Sequence, residues 1–79
     1  MSNIETYNTA FKDTLEVDDA MLGADLVYQS VENWDSVGHM QLIAALEDAF
    51  DIMLDTDDII DFNSYEAGKA ILSRYDVEL

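Results

Sequence analysis

The sequence predicts an all-α fold: a small antiparallel four-helix bundle with three longer helices, one short helix and a long loop between the first two. Three observations predict it. Apolar residues recur at helical spacing in four segments. No stretch alternates as a half-buried strand does. The chain holds no proline and only three scattered glycines, so the signals of tight hairpin turns are missing. At 79 residues, positions 1–79 make one domain. A domain of that size buries only about 60% of its unfolded surface, which leaves little room for a large substrate pocket beside a core.

The first helix is expected from Asn3 to Glu16. Ile4, Tyr7, Phe11 and Leu15 share one face, and Ser2 with Glu5 fits a capping box. From Val17 to Asp35 the periodicity is mixed, and the segment reads as an ordered loop anchored by Leu22, Leu26, Tyr28 and Trp34. A loop of that length in a compact domain is often functional. The second helix is expected from Ser36 to Asp51, with Leu42, Ile43, Leu46, Ala49 and Phe50 in phase. A short third helix covers Thr56 to Phe62. The fourth runs from Ser64 to Arg74, with Asn63 and Glu66 as a second capping box and a stripe of Tyr65, Gly68, Ile71, Leu72 and Tyr75.

Eighteen acids face three bases, a formal net charge of −15, and no Lys or Arg lies between Lys12 and Lys69. Nucleic-acid binding draws its affinity from cationic contacts to phosphate, so no nucleic-acid partner is expected. The 49% hydrophobic content, with its periodicity, argues against an acidic disordered tail. A folded acidic surface repels copies of itself, which favours a monomer, and attracts basic patches on partners. There is no cysteine, so disulfides and thiolate metal sites are excluded. No apolar run is long enough for a membrane span and the N-terminal residues do not resemble a signal peptide, so a cytoplasmic location without membrane contact is expected.

The second helix carries two faces. With Ser36 set at zero and about 100° per residue, the core residues centre at about 280°. Ser36, Val37, Met40, Ala44, Glu47, Asp48 and Asp51 fall on the opposite side. An apolar centre of Val37, Met40 and Ala44 rimmed by acids is how many interfaces are built, although scattered exposed apolar residues are also ordinary. His39 falls on the core side and reads as a partly buried residue near the helix start. Ser36 and His39 are three apart, but the wheel points them away from each other. No G-x-S-x-G elbow accompanies them, so a serine hydrolase is not expected.

Asp35 or Ser36 is a natural helix cap. Ser36 also suits a phosphate ester, because a helix start offers free N–H groups and partial positive charge. Gly38 is expected to leave space beside that attachment point.

With Asp35-Ser36-Val37 opening the second helix, LIAALEDAFDI along it, and DTDDIIDF before the last helix, the chain resembles the acyl carrier protein family, of the freestanding type, over almost its whole length. The resemblance implies that Ser36 receives 4′-phosphopantetheine from coenzyme A through a phosphopantetheinyl transferase. The arm's thiol would then hold an acyl or aminoacyl group as a thioester. The chain would be a carrier acted on by enzymes, not an enzyme. Its implied partners are that transferase, an acyl- or aminoacyl-loading ligase, and a downstream synthase or transferase with basic docking patches. Asp35, Val37, Met40, Glu47, Asp48 and Asp51 match the family's docking positions. Such carriers serve pathways of the fatty-acid or polyketide kind, or nonribosomal-type pathways when the cargo is aminoacyl or peptidyl. Val37 stands where leucine is usual, and Gly38 and Gln41 stand where acids are frequent. Those departures point from a housekeeping fatty-acid carrier toward a carrier dedicated to one pathway.

Two other classes compete. Asp55, Asp57 and Glu66 have the spacing of a calcium-binding EF-hand loop, but Ile59 and Ile60 occupy a ligand position and the required glycine. No metal site is therefore expected. The other is an interaction-only domain of the same fold without an arm, against which only Ser36 argues.

Overall fold

The computed structural model describes residues 2–79 and is all-α. In chain order it holds α1 (Asn3–Leu15), a 3-10 turn (Asp19–Met21), α2 (Ser36–Phe50), α3 (Thr56–Asp61) and α4 (Tyr65–Ser73). No strand forms among the described residues; a single antiparallel bridge joins Val27 to Ser64. No helix is long and apolar enough to cross a membrane.

Local chemistry accounts for the helix ends. The Ser2–Glu5 capping box forms in both directions, satisfying amides that the first turn of α1 leaves without helical partners. Asp35, not Ser36, caps α2: its Oδ1 accepts from the Gly38 amide at 2.9 Å. The box expected from Asn63 and Glu66 does not form. Asn63 instead uses its carbonyl to accept from the Tyr28 amide at 2.8 Å. The cap of α4 falls to Ser64, whose Oγ accepts from the Ala67 amide. Helices α1 and α2 both stop on a left-handed residue that is not glycine, Glu16 at φ 57° and Asp51 at φ 55°.

The core is aromatic. Phe11 is its hub, with ring centroids 4.9 Å from Tyr7, 5.3 Å from Tyr65, 5.6 Å from Trp34 and 6.2 Å from Phe62. Tilted, edge-on and stacked pairs of this kind add about 0.5–1.5 kcal/mol each beyond the burial itself. Leu15, Leu42, Ile43, Leu46 and Leu72 close the hub from α1, α2 and α4. Gly68 is what lets α4 come this near. A Cβ there would lie 2.2 Å from the Tyr7 hydroxyl and 2.3 Å from the Phe62 ring.

The expected core face of α2 is met at Leu42, Ile43 and Leu46 but fades toward its C-terminus. Phe50 is half-buried and Ala49 is exposed. Ala49 and Ala45 carry too little side chain to fill the space beside α1, and a shallow depression remains there against Thr9 and Ala10.

The loop from Val17 to Asp35 is ordered by long-range bonds. The Tyr28 amide donates to the Asn63 carbonyl, and the Tyr65 amide donates to the Leu26 carbonyl at 2.9 Å. Asn33 Nδ2 donates to the Leu15 carbonyl and to the Glu16 carboxylate, tying the loop to the end of α1. Leu26 and Trp34 are buried as expected, while Leu22 and Tyr28 pack against the core from its edge.

Candidate functional site

Ser36 is the first residue of α2 and is exposed, one position after its cap. The amides of Ser36 and Val37 open the helix, and an opening turn has no earlier carbonyls to pair with. Around Ser36 stand Val37 at 66% exposure and Met40 at 55%. Ile60 on α3, at 70%, adds an apolar residue that the helix wheel of α2 did not include. Ala44, Asp48 and Asp51 are exposed, as the wheel requires, and so is the cap residue Asp35.

Glu47 departs from the expectation of a free rim acid. It is half-buried, and its Oε2 accepts from the Leu54 amide at 2.9 Å. Its carbonyl also accepts from the Asp51 and Ile52 amides. Glu47 therefore fastens the segment that turns from α2 toward α3.

Gly38 also departs. It is buried and opens no space for an attached group. A Cβ at this position would lie 1.8 Å from the Asn33 carbonyl oxygen. Gly38 is small so that the loop can close on the first turn of α2. Glycine spacing along the helix carries no sign of such a contact, because the partner lies in the loop.

A groove of about 290 Å³ opens beside Ser36 between α2 and α3. Tyr28, Ser36, His39, Met40, Ile59, Ile60, Phe62 and Asn63 line it. If the core were to hold a chain, the sequence points to His39 and the Leu46–Phe50 stretch as its walls. Only His39 is in the wall; Leu46 is fully buried in the core.

His39 is half-buried, as expected, and both of its ring nitrogens are engaged. The Trp34 indole N–H donates to Nδ1 at 3.0 Å. Nδ1 is thus the acceptor, so the proton sits on Nε2, which donates to the Ile59 carbonyl at 2.8 Å. With no nitrogen left for the Ser36 hydroxyl, the two do not form a nucleophile–base pair. Sequence spacing could not reveal this bridge, which joins the loop, α2 and α3.

Helix α3 is held from its far side as well. Asp58 accepts from the Arg74 guanidinium at 2.7 Å and from the Tyr75 hydroxyl. The Tyr75 hydroxyl accepts in turn from the Asp55 amide. The phenol of Tyr75 is raised above its ordinary range chiefly by its hydrogen bond to the Asp58 carboxylate.

No His, Cys, Asp or Glu cluster among the described residues could hold a metal ion. The EF-hand pattern fails in space too: residues 56–61 are helical, and Glu66 pairs with Lys69 in α4. The remaining cation, Lys12, pairs with Asp19 at 3.1 Å. Lys12, Lys69 and Arg74 thus lie against acids, and among the described residues the acids of α2 meet no basic side chain. No family model, curated protein or solved structure matches the chain.

Proposed function

We propose that the chain is a carrier, with Ser36 bearing 4′-phosphopantetheine whose thiol presents an acyl or aminoacyl group to partner enzymes. One observation carries this reading: Ser36 is exposed at the first turn of a helix, on the rim of an apolar groove, and its hydroxyl makes no hydrogen bond among the described residues. A phosphodiester there meets the positive end of α2. Asp35 spends one carboxylate oxygen on the Gly38 amide, which leaves the outer side of the turn open for a transferase.

The helices on this reading form a small antiparallel bundle, and the protein acts as a monomer in the cytoplasm. Val37 and Met40 give partners an apolar contact beside the arm. Asp35, Asp48 and Asp51 give the charge that steers a basic patch toward it. The partners are a phosphopantetheinyl transferase, a loading ligase and a downstream synthase or transferase. A methionine at the centre of such a face adapts to several of them. The absence of cysteine leaves the arm's thiol as the only one on the molecule.

The test is direct. Apo-protein incubated with coenzyme A and a broad-specificity phosphopantetheinyl transferase is expected to gain the mass of one phosphopantetheine. Ser36→Ala is expected to gain none. An unchanged mass with several transferases removes the proposal.

A further inference from the structure

The groove beside Ser36 ends at aromatic rings. His39 has Tyr28 at 5.6 Å, Trp34 at 6.3 Å and Phe62 at 6.3 Å between centroids. Behind Trp34 and Phe62 lies Phe11, the hub of the core. Trp34, Phe62 and Phe11 are fully buried. The groove itself, at about 290 Å³, is at the small end of sites that bury a ligand.

An apolar chain attached at Ser36 finds Met40, Ile59 and Ile60 within the groove. To go further it must part α2 from α3. That separation breaks the His39–Ile59 bond, the one whose donor the Trp34 indole fixes by occupying Nδ1. Breaking this partly buried bond leaves the imidazole Nε2–H and the Ile59 carbonyl without partners, facing hydrocarbon rather than water. Each methylene gains a modest amount from burial, so the first methylenes past the groove do not offset that loss, and later ones meet the close-packed rings of Trp34, Phe62 and Phe11.

We propose that His39 is the stop that limits how far an apolar chain tethered at residue 36 reaches into the fold, by tying Trp34 to Ile59 across the end of the groove. The proposal rests on the carrier reading for its biological meaning, but its physical content can be tested without that reading. His39 acts here as a positioning residue and touches no reacting atom.

The chain has no cysteine, so Ser36→Cys creates a single thiol at the groove mouth. That thiol can be capped chemically with methyl, butyl, octyl and dodecyl methanethiosulfonates. The melting temperature is expected to rise from methyl to butyl and to gain nothing from butyl to dodecyl. Backbone NMR shifts are expected at Ile59 and Ile60 with butyl, while Phe11 stays unmoved with every cap. In a second background carrying His39→Ala, the gain is expected to continue through octyl, and Phe11 is expected to shift. His39→Gln, which keeps an N–H for the Ile59 carbonyl, is expected to restore the limit. If His39→Ala does not fold, Trp34→Phe removes the indole donor with the ring position filled, and the same extension is expected.

Steady stabilisation from methyl through dodecyl with His39 in place overturns the proposal. So does a complete lack of response to butyl, or an identical length dependence with and without His39. Because the caps are added chemically, a failed transferase reaction sinks the carrier reading without touching this result.

Discussion

The two ends of the molecule's packing are built on opposite terms. Between α1 and α4, four rings surround Phe11 and a glycine is required for closure. Between α2 and α3, beside Ser36, apolar residues stand in solvent and a groove is left open. The first region spends its apolar surface on the fold. The second withholds it from the fold, at a place where a modifying group or a partner can use it. In so small a chain, which has little core to spare, that division is itself informative.

The sharpest way to break the comparison is truncation on each side. Phe11→Ala is expected to cost about 3–5 kcal/mol, because it removes the ring on which four others converge. Met40→Ala, on the open side, is expected to stay within about 0.5 kcal/mol. Urea unfolding of both variants measures the contrast, and equal losses would erase it.

A smaller effect separates two acids that are neighbours in sequence. Glu47→Ala is expected to destabilise by about 1–2 kcal/mol, because the half-buried Leu54 amide loses its charged acceptor. Asp48→Ala is expected to be neutral or slightly stabilising, since it relieves self-repulsion in a chain of net charge −15. If the docking proposal holds, the ranking reverses for partner association at low salt, where Asp48 matters more than Glu47.

An effect that emerges only at alkaline pH belongs to the closed side. Burial pushes the Tyr7 phenol up from its ordinary value, and its hydroxyl donates to the Tyr65 carbonyl at 2.7 Å. Burial is also the largest cause raising Tyr65. A phenol raised in the folded state keeps its proton when the unfolded chain has lost it. Its contribution is complete below the unfolded value near pH 10 and declines as pH rises beyond it. Each pH unit above about 10 is expected to cost about 1.4 kcal/mol for Tyr7. Tyr7→Phe should flatten that slope in urea titrations from about pH 9 to pH 11.

What was legible in the sequence was local. The apolar spacing of α1, α2 and α4, the Ser2–Glu5 box and the outward register of Ser36, Val37 and Met40 all follow from about 100° of turn per residue. What was not legible depends on segments that meet only after folding. Gly38 reads as room beside Ser36, yet its missing Cβ is taken up by Asn33. Asn63 is a good cap by type, yet its backbone is committed to Tyr28, so the cap moves one residue on. Glu47 has the phase of a surface acid, yet the chain turns back over it. His39 falls on the core side of α2 by its phase, but its two partners lie five and twenty residues away and leave no periodic trace. The groove is invisible for the same reason: α3 supplies half of it.

The hydrogen bond from Trp34 to His39 has a practical corollary. Trp34 is the single tryptophan in the chain, and its indole meets the imidazole where the loop locks onto α2. The molecule consequently carries a built-in optical probe, whose emission follows the docking of that turn without any added dye. Any event at position 36 that disturbs this turn can be timed by watching one native fluorophore.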